Sequence, residues 1–430
     1  MSKTSGKSRG ARLALAAGAC VLASGGGLIH AQSGTPTLSL QAQVGQKLFF
    51  DTNLSASKKM ACASCHDPSN HYAPSNAQSV QLGGPNLTTP GFRAVPSLTY
   101  KYLTPAYSDD ATNPDGVSAN APGGGFTWDG RANSLAEQVT IPLLSSFEMA
   151  NASPAAVVQV VQSSSYAALF QQAYGSDIFN DPTTAFTDVG LALQQYQIED
   201  PSFHSFTSKY DYTFLIELSN GQPVSFTAAE LRGYSVYIDP NRGNCFACHY
   251  NGPITGGGGA LFTDFTFEAL GVPRNTAIPA NVTRPGLPPT YYDLGLCTAQ
   301  NPATPHTLPA SAQYCGLFKT PTLRNAVTRQ AFFHNGVFHN ITDVINWYNT
   351  RDTNPAAWYP TVRGVVQKFN DLPAAYQANL DHVDVPFDGL AVGGTPHMSA
   401  QDVADLKCFL ETLVDGYVQG VTPQDQNCIN

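Results

Sequence analysis

Cys62-Ala63-Ser64-Cys65-His66 decides how this chain is read, and the pattern returns far downstream as Cys245-Phe246-Ala247-Cys248-His249. In an exported protein C-x-x-C-H marks covalent haem attachment: two thiols add to the porphyrin vinyl groups, and the adjacent histidine ligates iron from the proximal side. Two copies imply two covalently bound c-type haems, held by Cys62, Cys65, Cys245 and Cys248, with His66 and His249 as axial ligands. The competing readings are a zinc site and a redox dithiol. Zinc needs the two pairs, 183 residues apart, to meet in one site, and it gives no reason for a histidine after each second cysteine.

Working outward, Gly45-Gln46-Lys47-Leu48-Phe49-Phe50-Asp51 precedes the first motif and Gly233-Tyr234-Ser235-Val236-Tyr237-Ile238-Asp239 precedes the second. Both read glycine, two residues, apolar-aromatic-apolar, aspartate, then a short loop and C-x-x-C-H, which is one unit used twice. A mature chain of about 400 residues also exceeds the size of a single core. The expected fold is therefore mostly α: two cytochrome-c-like haem domains with long irregular loops, an N-terminal one over 32–205 and a C-terminal one over 206–430.

Helices are expected at 134–141, 154–163 and 188–199, and from the capping box Thr227-Ala228-Ala229-Glu230 into the second motif. A last helix runs from a Ser399 cap, with Val403, Leu406, Phe409, Leu410 and Leu413 at helical spacing. It is expected to pack on a helix that precedes a haem motif. Residues 80–127 read as a long loop covering a haem edge or the groove between domains, and 250–320 as a disulfide-tied excursion. Phe214-Leu215-Ile216 reads as part of a small hairpin.

Lys3, Lys7, Arg9 and Arg12 precede the apolar run Leu13 to Ala23, and Ile29-His30-Ala31 suits signal peptidase, so 1–31 reads as a cleaved signal peptide and the protein as periplasmic. The rival is a lipoprotein acylated at Cys20. No later segment approaches the roughly 20 apolar residues of a membrane span. Losing the signal moves the formal charge from −9 to −13, which argues against nucleic acid as a partner. Cys297, Cys315, Cys408 and Cys428 remain, even in number in an oxidising compartment, so two disulfides are expected. Local pairing is the simplest of three connectivities, and spacing alone leaves all three open.

Between the motifs lie Phe126-Thr127-Trp128-Asp129-Gly130-Arg131-Ala132, Ser134-Leu135-Ala136-Glu137-Gln138 and Phe147-Glu148-Met149. Together with Phe318-Lys319-Thr320-Pro321-Thr322-Leu323-Arg324-Asn325 and Phe333-His334-Asn335-Gly336, they resemble the bacterial dihaem cytochrome c peroxidase and MauG family. The motifs keep family order from about Gly45 to Leu413, with 80–127 longer than usual.

The resemblance implies roles. Trp128 is similar to the tryptophan that lies between the haems and couples them; the alternative is a core tryptophan. Glu148 matches the acidic residue in the distal pocket of the first haem, where a carboxylate takes a proton from bound peroxide and returns it to the leaving oxygen. Gln138 and Pro142 match hydrogen-bonding and wall positions near that haem. Counting from His334 of the F-H-x-G motif to the second haem's distal ligand lands on Tyr348, where the peroxidases carry methionine and MauG-type enzymes tyrosine. The only later methionine is Met398. Many dihaem peroxidases bring a distal histidine to the first haem from a loop; here none occurs between His71 and His204, and His71 is too close to His66 to cross the porphyrin face. The first haem is thus expected to be five-coordinate and open to peroxide.

Two departures limit the transfer. The family's interhaem calcium uses an Asn in an R-N-x-P segment and a T-x-P segment, where this chain has Arg93-Ala94-Val95-Pro96 and Arg329-Gln330-Ala331, which puts Ca2+ in doubt. Some members also carry a surface tryptophan two residues before the second haem's first cysteine, where this chain has Gly243. The run Phe332 to Phe338 with Asn349-Thr350-Arg351-Asp352 resembles MbnH-like members, which oxidise a tryptophan on a partner protein. Trp347 and Trp358 are then either relay or packing residues.

The reading is a MauG-like oxidoreductase that uses hydrogen peroxide to form a high-valent state shared by two haems and oxidises a Trp or Tyr of a periplasmic partner protein. The alternatives are a cytochrome c peroxidase fed by a small cytochrome or cupredoxin, and a non-enzymatic dihaem electron-transfer protein.

Overall fold

Helix α1 (Leu40–Phe50) starts at Ser39, whose hydroxyl accepts from Ala42 N at 3.2 Å, and stops at Asp51, where the backbone turns extended. It buries Val44, Leu48 and Phe49 against the long α6 (Pro182–Glu199). The two backbones meet at Gly45, where a Cβ would lie 2.0 Å from the Ala192 carbonyl oxygen. The same device recurs downstream. Helix α8 (Ala228–Ile238) opens on the Thr227/Glu230 capping box and crosses α11 (Ala400–Glu411) at Gly233, where a Cβ would lie 1.9 Å from the Asp405 carbonyl. The C-terminal helix therefore packs on the helix preceding the second motif, as its apolar spacing predicted.

The computed structural model describes residues 37–429 apart from 116–117, 253–258 and 283–290. The expected signal 1–31 and Cys20 lie outside the described residues. Between the crossings come α2 (Cys62–Cys65), α3 (Leu135–Leu144), α4 (Pro154–Gln162), α5 (Ala167–Tyr174) and α7 (Lys209–Asp211). Short α9 (Pro279–Val282) and α10 (Ile341–Thr350) lie between α8 and α11. Strands pair in short antiparallel ladders: β1 (Leu82–Gly83) with β2 (Thr89–Pro90), β3 (Ser108–Ala111) with β4 (Ala121–Gly123), β5 (Phe267–Glu268) with β6 (Phe318–Lys319), and β7 (Thr361–Val362) with β8 (Val365–Val366). The protein is mostly helical, with few short strands.

One expectation fails. Phe214 to Ile216 is not a hairpin: α7 leads straight into a π-helix, Tyr212–Glu217, because Ser208 and Asp211 form a capping box that starts a helix there.

The chain from Leu38 on forms one compact unit with separate apolar cores. One, around Leu48, Phe49, Phe170 and Phe203, draws on residues up to Phe203; another, around Tyr237, Phe262, Phe409 and Leu413, begins at Tyr210. Each fully buried side chain of this kind stabilises by roughly 1.5–3 kcal/mol. Disulfides join Cys297 to Cys315 and Cys408 to Cys428, the latter tying the end of the described chain to α11. The loop 80–127 is pinned across the molecule, with Tyr100 Oη donating to the Asp415 carboxylate at 2.7 Å and Ala94 N to the His334 carbonyl at 2.7 Å.

Candidate functional site

The two C-x-x-C-H segments are built alike. His66 N donates to Cys62 O at 2.9 Å and His249 N to Cys245 O at 2.8 Å, so each histidine closes the turn that carries its thiols. His66 Nδ1 sits 3.2 Å from the Tyr72 carbonyl and His249 Nδ1 3.1 Å from that of Phe262. Tyr72 and Phe262 both have φ of 56°, a costly conformation that aims each carbonyl at its ring. The contact orients each ring and favours the tautomer protonated at Nδ1. Burial pulls both imidazoles down to about 4, so they stand neutral as metal ligation requires.

The thiols are free. Burial pushes Cys62 and Cys245 up to about 12 and Cys65 to about 11, the reverse of the depressed thiol that a redox dithiol needs. Among the described residues the two pairs do not gather into one metal cluster, so the zinc reading has no site.

One cavity is lined by Cys248, His249 and Tyr348 together with Trp128, Lys101 and Arg329. Tyr348 on α10 is clamped between Trp347 (ring centroids 5.1 Å apart) and Phe387 (5.4 Å, stacked). Burial raises its phenol well above the ordinary value, and the Cys248 and Cys245 thiols add to this, which places them close by. No hydrogen-bond partner meets the phenol among the described residues. Near these thiols, burial together with Asp381 and Asp264 pushes Glu268 up to about 8; sequence reasoning missed this carboxyl, whose only signal was an acid in the apolar run around β5.

Trp128 lines the same cavity, and its indole Nε1 donates to Ala94 O at 2.8 Å. Asp129 beneath it is fully buried; burial alone would raise its carboxyl, but Arg93 at 3.0 Å and Arg131 overcome this and hold it well below the usual range. His334 is buried, stacked on Phe318 at 3.6 Å with Asp371 3.3 Å from its Nε2. It contributes through its backbone, which holds Ala94 and so the acceptor of the Trp128 indole.

Glu148 follows α3 in a turn closed by Glu148 N to Ser145 O (3.0 Å) and Met149 N to Pro142 O (3.1 Å). Gly84 N donates to Glu148 O at 2.8 Å, so the β1–β2 hairpin clamps this turn. Burial raises the Glu148 carboxyl, and its charge in turn raises Cys65, which brings Glu148 to the first attachment segment. Gln138 and Pro142 lie one helical turn apart on α3, half-buried and leading to that turn. His71, in a left-handed conformation, lies within range of the Asp415 carboxylate, and its half-buried imidazole is lowered mainly by burial.

Residues 39–217 match the family model for di-haem cytochrome c peroxidase. The methylamine utilization protein MauG of Paracoccus denitrificans (strain Pd 1222) is 33% identical over 324 residues, covering 74% of this chain and 76% of that protein. The chain belongs to the dihaem cytochrome c peroxidase and MauG family. Cytochrome c551 peroxidase of Nitrosomonas europaea is a further member, 26% identical over 305 residues, covering 70% of each chain. The crystal structure of the diheme peroxidase BthA from Burkholderia thailandensis E264 superposes with a TM-score of 0.77 at 34% identity, covering 92% of this chain and 90% of that one. As a dihaem peroxidase-family protein, the chain is an oxidoreductase that carries two c-type haems.

The residues fit those haems: free paired thiols, a neutral buried histidine beside each pair, and on the cavity wall a phenol that meets no hydrogen-bond partner among the described residues. They do not fit the family's interhaem calcium. The segments that would supply its oxygens are already bridged by a guanidinium, Arg329 Nη2 donating to Val95 O at 2.9 Å and to Ala331 O at 3.1 Å, and Ala94 offers no side-chain oxygen. Nor can a surface tryptophan replace Gly243 without rearrangement, because a Cβ there would lie 2.6 Å from the Val236 carbonyl oxygen.

Proposed function

We propose that the protein is a periplasmic enzyme that takes hydrogen peroxide at the His66 side and withdraws two electrons from a tryptophan or tyrosine of a partner protein through the His249/Tyr348 side. The observation that carries this reading is Tyr348, its phenol without a hydrogen-bond partner among the described residues, on the cavity wall beside Cys245 and Cys248. A phenolate is a hard, anionic donor that favours oxidised iron, so it suits a site that stores oxidising equivalents better than one that admits electrons. Residues 32–205 and 206–430 serve as the two haem domains.

Haem, when bound, supplies the iron chemistry of peroxide reduction. His66 and His249 would hold the haem irons, and the carbonyls of Tyr72 and Phe262 keep both rings oriented for it. Glu148 accepts a proton from one peroxide oxygen and delivers it to the other, so that the leaving oxygen departs as water. The raised carboxyl suits both halves of that transfer. Gln138 and Pro142 shape the wall on which Glu148 acts, and Trp128, on the wall of the His249 cavity with its indole held by Ala94, is the residue that couples the two sides. Overall the partner gives up two electrons, and peroxide with two protons becomes two waters.

With Gly243 in place of a surface tryptophan, the exit runs through Trp347 and the half-buried Trp358, linked by Phe338 at centroid distances of 5.9 and 5.7 Å. The chain's acidity favours a partner with a basic or mixed face. No described helix is long and apolar enough to cross a membrane.

Mixing the diferric protein with one equivalent of hydrogen peroxide in a stopped flow tests the reading. Direct reaction without prior reduction is expected; reaction only after one-electron reduction would favour the cytochrome c peroxidase alternative.

A further inference from the structure

Arg329 is a half-buried cation with no acid beside it. Its guanidinium Nη2 bridges Val95 O at 2.9 Å and Ala331 O at 3.1 Å, and among the described residues no carboxylate pairs with it. Lys101, near enough to Arg329 to feel its charge, is likewise without a carboxylate partner among the described residues. Both line the cavity that Trp128 and Tyr348 share.

The bridged carbonyls are not incidental. Val95 follows Ala94, whose N–H is held by His334 O at 2.7 Å and whose carbonyl takes the Trp128 indole at 2.8 Å. Ala331 precedes the turn that carries Phe333 and His334. The guanidinium therefore pins together the loop under Trp128 and the segment leading to the F-H-x-G motif. Backbone carbonyls converging without a nearby acid form a seat for a cation. Here the chain fills that seat itself.

We propose that Arg329 is a built-in substitute for an interhaem divalent cation, supplying both the cross-link and the fixed positive charge between the two attachment segments, so that the protein neither holds nor needs calcium. A guanidinium cannot be chelated and presents several fixed donors. The donors of Arg329 and the ammonium of Lys101 that face the cavity remain for acidic groups of the bound haems.

The test uses the dihaem protein as purified. Metal analysis after gel filtration is expected to find calcium far below one per chain. Absorption and EPR spectra and the unfolding temperature are expected to stay unchanged on treatment with EGTA and on later addition of calcium chloride. Arg329→Gln is expected to lower the unfolding temperature and to alter the EPR line shape of the diferric protein. Calcium retained at one per chain, or a wild-type spectrum that shifts with EGTA, overturns the proposal. So does an Arg329→Gln protein matching wild type in both readouts. Should that variant fail to fold, the metal content and chelator response of the wild type decide alone.

Discussion

The two attachment segments share a scaffold and differ in what faces it. Each has a helix crossing at a glycine, an aspartate cap, a turn closed by the histidine N–H, and a φ of 56° at the residue whose carbonyl holds Nδ1. Opposite these constant parts, the first segment meets Glu148, whereas the second meets Tyr348 in an aromatic clamp with Glu268 nearby; Lys101 and Arg329 act on His66 and also line the cavity of the second. The difference teaches that the repeated unit fixes how haem is attached, while single residues brought from elsewhere in the chain set what each haem does.

The sharpest way to break that comparison is to remove the acid from one side alone. Glu148→Gln should slow the reaction with peroxide by about 10²–10⁴-fold while leaving the spectrum of the Tyr348-side haem intact. The pH dependence has a definite sign. Because burial raises the Glu148 carboxyl, its base form accumulates only above the ordinary carboxylate range, so the wild-type rate should climb with pH through an apparent pKa above that range, and the Gln variant should lack that limb.

The shared scaffold is tested next by its glycines. Gly45→Ala and Gly233→Ala each force a methyl group against a backbone carbonyl, and each should cost about 1–3 kcal/mol in denaturant titrations. Similar costs sharpen the reading of one unit used twice; a loss at one position only breaks it. The smallest effect belongs to the exit path. Trp358→Phe should slow oxidation of a partner protein a few-fold and leave the peroxide reaction unchanged, whereas equal loss of both would make Trp358 a packing residue.

Much of this was legible in the chain itself. C-x-x-C-H needs no tertiary information, and the Gly45–Asp51 and Gly233–Asp239 repeats read as one unit used twice, while the role of their glycines as helix crossings came only with the structure. Ser134, Thr227 and Ser399 announced helix starts because a hydroxyl there satisfies a free N–H. Helix α5 carried no such signal, since Tyr166 makes no side-chain cap, and it went unread. The apolar run at Phe214 to Ile216 was too short for periodicity to separate strand from helix, and the Ser208/Asp211 box that settles the matter lies before it. At the site, motif neighbours singled out Trp128 and Tyr348, which the structure brings to one cavity wall. The bridge from Arg329 to Val95 was not, because a guanidinium meeting backbone carbonyls 234 positions away leaves no pattern in sequence.

The central claim is that Tyr348 is the second axial ligand of the His249 haem, and EPR of the resting diferric protein with and without Tyr348→Phe tests it most directly. One high-spin and one low-spin haem are expected, with the substitution altering the low-spin signal alone and removing any long-lived near-infrared absorption after one equivalent of peroxide. A low-spin signal untouched by Tyr348→Phe, or two low-spin haems at rest, would contradict it.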